Sequence, residues 1–285
     1  MRNGQPSRTA LSTAAARAAH LVVDNEPHIL HDTVAATLIG DQAEEMLGYH
    51  RAYGDHPILS CTRALVTTRS AYTERVLADR SPDQYVILGA GLDTFAHRHC
   101  GPRVFEVDHP ATQEWKRTLI AQAGLPIPEH LAFVPVDLET DSLLDRLTAA
   151  GFDPRRSTLV GWLGVTMYLT RDAISATLAE LGRLSPGSEV VMEYSLPAEL
   201  RDDLGNEYAA MASEVVRESN EPYLTSLSPD EVTALMGRHG LEVLRHVTMH
   251  DAVPPSMWTR TDVLRPFVGS HLAHATVSAT LASPR

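Results

Sequence analysis

Residues 84–98 read QYVILGAGLDTFAHR, and this stretch restricts the fold more than any other. The run Tyr85-Val86-Ile87-Leu88 has the length and apolar character of a buried strand, and it meets Gly89-Ala90-Gly91 before a segment able to start a helix. Strand, glycine turn and helix in that order make the first half of a βαβ unit, whose backbone amides approach a ligand at the strand's carboxyl edge. A dinucleotide fingerprint needs a third glycine, and Thr94 stands there instead. Asp93 also sets a carboxylate in the turn, where a pyrophosphate on a helix N-terminus would be repelled. A glycine pair alone also occurs in ordinary tight turns, so the neighbouring segments decide its meaning.

Val104-Phe105-Glu106-Val107-Asp108 reads as a second strand ending in a carboxylate, 17 residues beyond Gly91. An acid at the end of the second strand can accept both ribose hydroxyls, which is why a spacing of roughly 20 recurs in adenosine-binding sheets. Asp108-His109-Pro110 would also start a helix, with Asp108 as its N-cap and Pro110 at the first position. A third strand, 131–136, ends in Asp137-Leu138. There Asp137 can accept an adenine amine while Leu138 packs on the ring; the alternative is a cap for a helix beginning near Asp141 and Ser142. A turn hostile to phosphate beside a ribose-accepting acid suits a phosphate-free adenosine ligand, of which S-adenosylmethionine is the common one.

The runs ILGAGLDTFAHR, VFEVDHP, VPVDL and WLGVTMYLTRDAI together resemble the leucine carboxyl methyltransferase family, in particular its bacterial S-adenosylmethionine-dependent O-methyltransferases that include polyketide-modifying enzymes. SRTALSTAAARAAH, HDTVAATLIG and VTTRSAYTERVL are similar to its N-terminal helices, and NEPYLTSLSPDEVTALMGRHGLEV to its late helix and strand, so the likeness spans roughly residues 7–277. The resemblance implies that Arg69 grips the methionine carboxylate, as a guanidinium fork can through paired hydrogen bonds. Arg63 is a nearby alternative. It further implies that Gly89 and Gly91 line the methionine portion, that Asp108 holds the ribose, and that Asp137 and Leu138 border the adenine. The chain departs from the family at the fourth strand: relatives carry EGLLMYL where residues 163–169 read LGVTMYL, so Leu163 replaces a carboxylate near the cofactor's amino group.

The implied fold is an α/β domain with a mostly parallel Rossmann-like sheet between helices. The 285 residues, 44% of them hydrophobic, are sufficient for one such domain. We expect a helical cap over 8–80, a core over 84–277 and a helical lid near 197–225, after a fifth strand at 189–194. Thr9, Asp24 and Asp32 are candidate helix starts, Ser228 caps a helix to His239, and further strands are expected at 241–246 and 271–277. Residues 1–6 and those after 279 are expected to fray. The Arg-, Ser- and Ala-rich start is like a transit peptide, yet the family likeness begins near Ser7, which favours an ordinary amphipathic helix.

A net charge of −12 without a basic stripe argues against nucleic acid as a partner. No apolar run reaches 18 residues, so no membrane-spanning helix is expected. Two cysteines, Cys61 and Cys100, without a secretion signal suggest a reduced, cytoplasmic setting. A homo-oligomer is left open. His97, His99 and Cys100 are metal-ligand types without a second cluster to complete a site, so no metal is expected. The expected partner is a small-molecule acceptor, with Tyr168 and Tyr194 as its candidate contacts.

Methyl transfer from a sulfonium needs alignment more than activation. An acceptor carboxylate is already ionised at neutral pH, whereas a phenol with a pKa near ~10 wants a base. His109 and His250 carry no signature of a base, so no catalytic residue is assigned. Carboxylate O-methylation is the expected reaction. The competing readings are a phenol O-methyltransferase, a catalytically silent S-adenosylmethionine-binding protein and an NAD-dependent oxidoreductase, the last disfavoured by Asp93 and Thr94.

Overall fold

The computed structural model describes residues 7–218 and 222–279. The expected frayed ends, and residues 219–221 of the expected lid, lie outside them. Ser7 accepts the Ala10 amide at 3.3 Å and opens α1 (Arg8–Val23). With α2 (Ala35–Ile39), α3 (Ala43–Tyr53) and α4 (Pro57–Arg80) it forms the helical cap. Strands and helices then alternate as β1 (Gln84–Leu88), α5 (Phe95–Arg98), β2 (Arg103–Asp108), α6 (Pro110–Gln122), β3 (Leu131–Pro135), α7 (Leu143–Ala149), β4 (Thr158–Trp162), α8 (Arg171–Leu181) and β5 (Glu189–Ser195). The chain ends with α9 (Asp203–Glu218), α10 (Pro229–Arg238), β6 (Leu241–Val247) and β7 (Ser270–Val277).

All seven strands join one sheet in the order β3-β2-β1-β4-β5-β7-β6. The first five run parallel, and β7 is antiparallel to both β5 and β6. The chain winds outward from β1 in both directions, so β1 and β4 flank the switch point where open α/β sheets hold ligands beyond the strands' carboxyl ends. Every residue of β1 and of β4 is buried, as expected for parallel strands covered on both faces. Strand alternation divides the core: Val86, Phe105, Val160 and Trp162 pack on one face, and Tyr85, Val104, Leu159 and Val191 on the other. Among the described residues no helix is long and apolar enough to cross a membrane.

Several helix boundaries differ from expectation. Thr9 lies inside α1 and Asp24 at its C-terminal end, whereas Asp32 does accept the Ala35 amide at the start of α2. The helix after the glycine turn is a single turn, Phe95–Arg98: His99 is already extended, and Gly101-Pro102 lie just beyond.

The cap is held by a buried ionic network. Asp24 accepts Arg63 Nε at 2.9 Å and Nη2 at 3.0 Å, and lies 2.9 Å from His20 Nδ1. Arg63, 1% exposed, also donates to Gly54 O at 3.0 Å. This joins α1 to α4 through charges that are satisfied only together. His50 Nδ1 lies 3.3 Å from Arg63 Nη1, and a guanidinium can only donate, so that nitrogen must accept. Burial, then the Arg63 charge, pull the imidazole down to about 4. The unfolded chain therefore binds this proton first as pH falls from about 6.5 towards 4, and stability drops across that window. Urea unfolding between pH 7 and pH 4.5 should show the midpoint falling with pH, and falling less steeply in His50→Gln, which keeps a neutral acceptor.

Candidate functional site

A cleft of about 780 Å³ opens above the carboxyl ends of β1, β2, β4 and β5, bounded by α1, α4 and α9. Its floor is the glycine turn. Gly89 has φ +65°, and a Cβ there would stand 2.2 Å from Val165 Cγ2, so only glycine lets the turn meet the loop after β4. The Gly91 amide donates to Asp108 Oδ2 at 2.5 Å and the His109 amide to Oδ1 at 2.7 Å. Burial raises the Asp108 pKa, and the two amides oppose that rise. The helix cap expected of Asp108 is supplied by His109, whose ring accepts the Ala111 amide at 3.3 Å. Asp108 is thus left at the cleft wall.

Below the turn lies a pair that the sequence reading missed. Lys116 donates to Asp93 O at 2.6 Å and to Glu106 Oε2 at 2.5 Å. Burial pushes Glu106 up to about 7 against the pull of Lys116. A lone acid in an otherwise apolar strand was the available signal, because such a group needs a cation. Asp93 itself accepts the Phe95 amide at 2.7 Å and keeps its place in the cleft lining.

At the β4–β5 side, Arg69 Nη1 donates to Glu193 Oε2 at 2.6 Å. The Gly164 amide reaches the same oxygen at 2.7 Å, and Ser270 Oγ donates to Oε1 at 3.0 Å. Gly164 has φ +71°, and a Cβ there would lie 2.6 Å from Arg69 Nη2. Leu163 borders the cleft and packs against the apolar cluster around Tyr85 and Ile87. The carboxylate in this quarter therefore comes from Glu193 of β5 and not from position 163.

The other sequence-designated residues divide cleanly. Arg69, Gly89, Gly91, Asp108, Asp137, Leu138, Leu163 and Tyr168 all border the one cleft. Asp137 Oδ1 accepts the Glu139 amide at 3.1 Å. Arg63 does not border it, being consumed by Asp24. Tyr194 is a correction: it is 0% exposed and hydrogen-bonds the half-buried His246 of β6 through Nδ1 at 2.7 Å. Adjacent strand residues face opposite sides, so placing Glu193 at the cleft turns Tyr194 away from it. His250 is exposed beside Asp251, outside the cleft.

Helix α9, in the segment expected to form a lid, packs on α4, with Tyr208 bordering the cleft 5.2 Å from the Phe267 ring. The return segment is extended rather than helical: the Leu224 amide donates to Met167 O at 2.7 Å, and Thr225 Oγ1 to Leu169 O at 2.6 Å. This sets the Tyr223 ring 5.3 Å from Tyr168. Arg201, Tyr208 and Tyr223 went unread in the sequence because no motif marks a lid wall. The close passage of Arg69 over Gly164 yields a direct check. Gly164→Ala should break the Arg69–Glu193 pair in a crystal structure and lower unfolding stability by about 1–3 kcal/mol, through a strained φ and the displaced guanidinium.

Comparison with known proteins bears on the family and the fold. The family model for leucine carboxyl methyltransferase matches residues 10–182. A Bacillus subtilis protein named as an S-adenosyl-L-methionine-dependent methyltransferase, YktD, is 31% identical over 96% of this chain and 99% of its own. Among solved structures, a methyltransferase from Thermobifida fusca superposes with a TM-score of 0.61 at 16% identity, over 98% of this chain and 97% of that one. A DUF574 family protein from Streptomyces avermitilis gives 0.59 at 17%, over 92% and 96%. These two show the mostly parallel seven-stranded fold. With more than half of its length matched by the family model, the chain belongs to the leucine carboxyl methyltransferase family.

Proposed function

We propose that the protein transfers the methyl group of S-adenosylmethionine to a carboxylate oxygen of a small-molecule acceptor. Family membership makes it an S-adenosylmethionine-dependent methyltransferase; the carboxylate is our reading of the cleft. The residues present fit the cofactor. Asp108, fixed by two backbone amides, offers acceptors for the ribose hydroxyls, and Asp137 with Leu138 offers a polar and an apolar edge for the adenine. Arg69 supplies a fork for the methionine carboxylate, beside the Glu193 anion that can meet the ammonium. The cofactor supplies a methyl carried on a positively charged sulfur.

One observation carries the choice of nucleophile. Among the described residues bordering the cleft the one histidine is His109, and its ring is engaged with the Ala111 amide, so no free imidazole stands there to take a proton. Glu193 is bonded to Arg69, Gly164 and Ser270. Asp108 holds backbone amides, His109 caps α6, and Glu139 accepts from Thr170 through both oxygens. Tyr208 and Tyr223 are pushed well above the ordinary phenol range by burial. A carboxylate acceptor needs no proton removed. A bound cofactor would supply the methyl group as an O–CH₃ bond formed in place of S–CH₃, the departing pair remaining on sulfur as a thioether, so that no proton need leave the acceptor. The protein's part is alignment and exclusion of water, worth up to roughly 7–11 kcal/mol for well-oriented groups.

The test is the product. Incubation with deuteromethyl-labelled cofactor and extracts rich in organic acids should yield a labelled methyl ester cleaved by mild alkali. Its single-turnover rate should be nearly flat from about pH 6 to 8, where an acid with a pKa near ~4 is already ionised, and should survive His109→Ala. A labelled product stable to alkali, formed at a rate rising with pH, would make the protein a phenol O-methyltransferase.

A further inference from the structure

Three arginines border the cleft, and two are already paired: Arg17 with Asp32 at 2.8 Å and Arg69 with Glu193 at 2.6 Å. Arg201 differs. Its Nε donates to Leu196 O at 2.8 Å, which fixes the plane of the guanidinium. Among the described residues no carboxylate pairs with it. Burial pulls its pKa down, with Tyr223 and Glu199 giving only partial compensation from a distance. A half-buried cation held by its stem and left unneutralised at its fork is costly unless a ligand completes it. The surrounding wall is aromatic: Tyr168 and Tyr223 stand as one tilted pair, Tyr208 and Phe267 as another. A flat apolar body ending in an anion fits both features.

We infer that Arg201 receives the acceptor's carboxylate and is the residue that distinguishes substrate from product. This rests on the carboxylate reading above. A carboxylate offers about four lone-pair sites on two oxygens, so two can accept from the guanidinium fork while another stays directed at the methyl group. Esterification then removes the charge. The bidentate pair becomes at best a neutral hydrogen bond, and the product loses affinity at the moment it forms. The same arginine that selects the acid ejects the ester.

Calorimetry on the full chain saturated with S-adenosylhomocysteine, using naphthoate, methyl naphthoate and naphthamide and the same trio on an anthracene body, separates the outcomes. In the wild type at least one acid should bind ten- to a hundredfold more tightly than its ester and its amide. Arg201→Gln should erase that preference while leaving affinity for S-adenosylhomocysteine unchanged, and Arg201→Lys should keep part of it. A preference that persists in Arg201→Gln would overturn the role of Arg201 while the carboxylate reading stands. A wild type that binds S-adenosylhomocysteine but prefers no acid in either trio would overturn both.

Discussion

The hydrogen bonds from the Gly91 and His109 amides to the Asp108 carboxylate fix the relation between the glycine turn and the second strand. The glycine-turn end of the cleft depends on it. With its lone pairs partly occupied, Asp108 cannot swing to cap α6, and His109 takes that duty. The turn is then closed from the opposite side by Val165, in space that any side chain at position 89 would fill. Lys116 holds it from below through the Asp93 carbonyl and Glu106. One turn is thereby pinned by β2, by the loop after β4 and by α6, which makes it a rigid floor for a ligand.

The other end of the cleft is built on an ion pair across 124 positions of sequence, between Arg69 on α4 and Glu193 on β5. It couples the helical cap to the sheet and presents a cation and an anion side by side, matching the zwitterionic head of an amino acid. Gly164 makes room for the guanidinium and donates its amide to the same carboxylate. On the proposed reading the cofactor's two charged groups meet α4 and β5, and the acceptor carboxylate meets the segment between β5 and α9. Arg201 lies between β5 and α9 and Arg69 on α4, so on that reading changes in acceptor preference need not disturb the cofactor site.

The parts of this arrangement encoded within a few residues were legible from sequence. The first three strands, their terminal acids and the glycine turn follow one another in chain order, each with a local pattern. What escaped was set by geometry across elements. The replacement of an acid by Leu163 was legible as a departure from the family, and nothing local announced that Glu193 supplies a carboxylate there. Tyr194 was assigned to the acceptor pocket from its position after an apolar run, yet strand alternation gives the cleft to its neighbour Glu193. Arg63 and Arg69, six residues apart on α4, differ by about 240° around the helix at ~100° per residue, so only one faces the cleft. The helix after the glycine turn is one turn long, and the glycine-proline pair at 101–102 just beyond it is local sequence information.

The central claim is that this turn and its acid hold an adenosine ligand without phosphates. Calorimetric titration of S-adenosylhomocysteine and of NAD into the wild type and Asp108→Ala tests it most directly. The account predicts that S-adenosylhomocysteine binds, that NAD does not, and that the substitution costs on the order of tenfold to a hundredfold in affinity, through loss of hydrogen bonds to a charged acceptor. Tighter binding of NAD than of S-adenosylhomocysteine, or unchanged affinity in a folded Asp108→Ala, would contradict it.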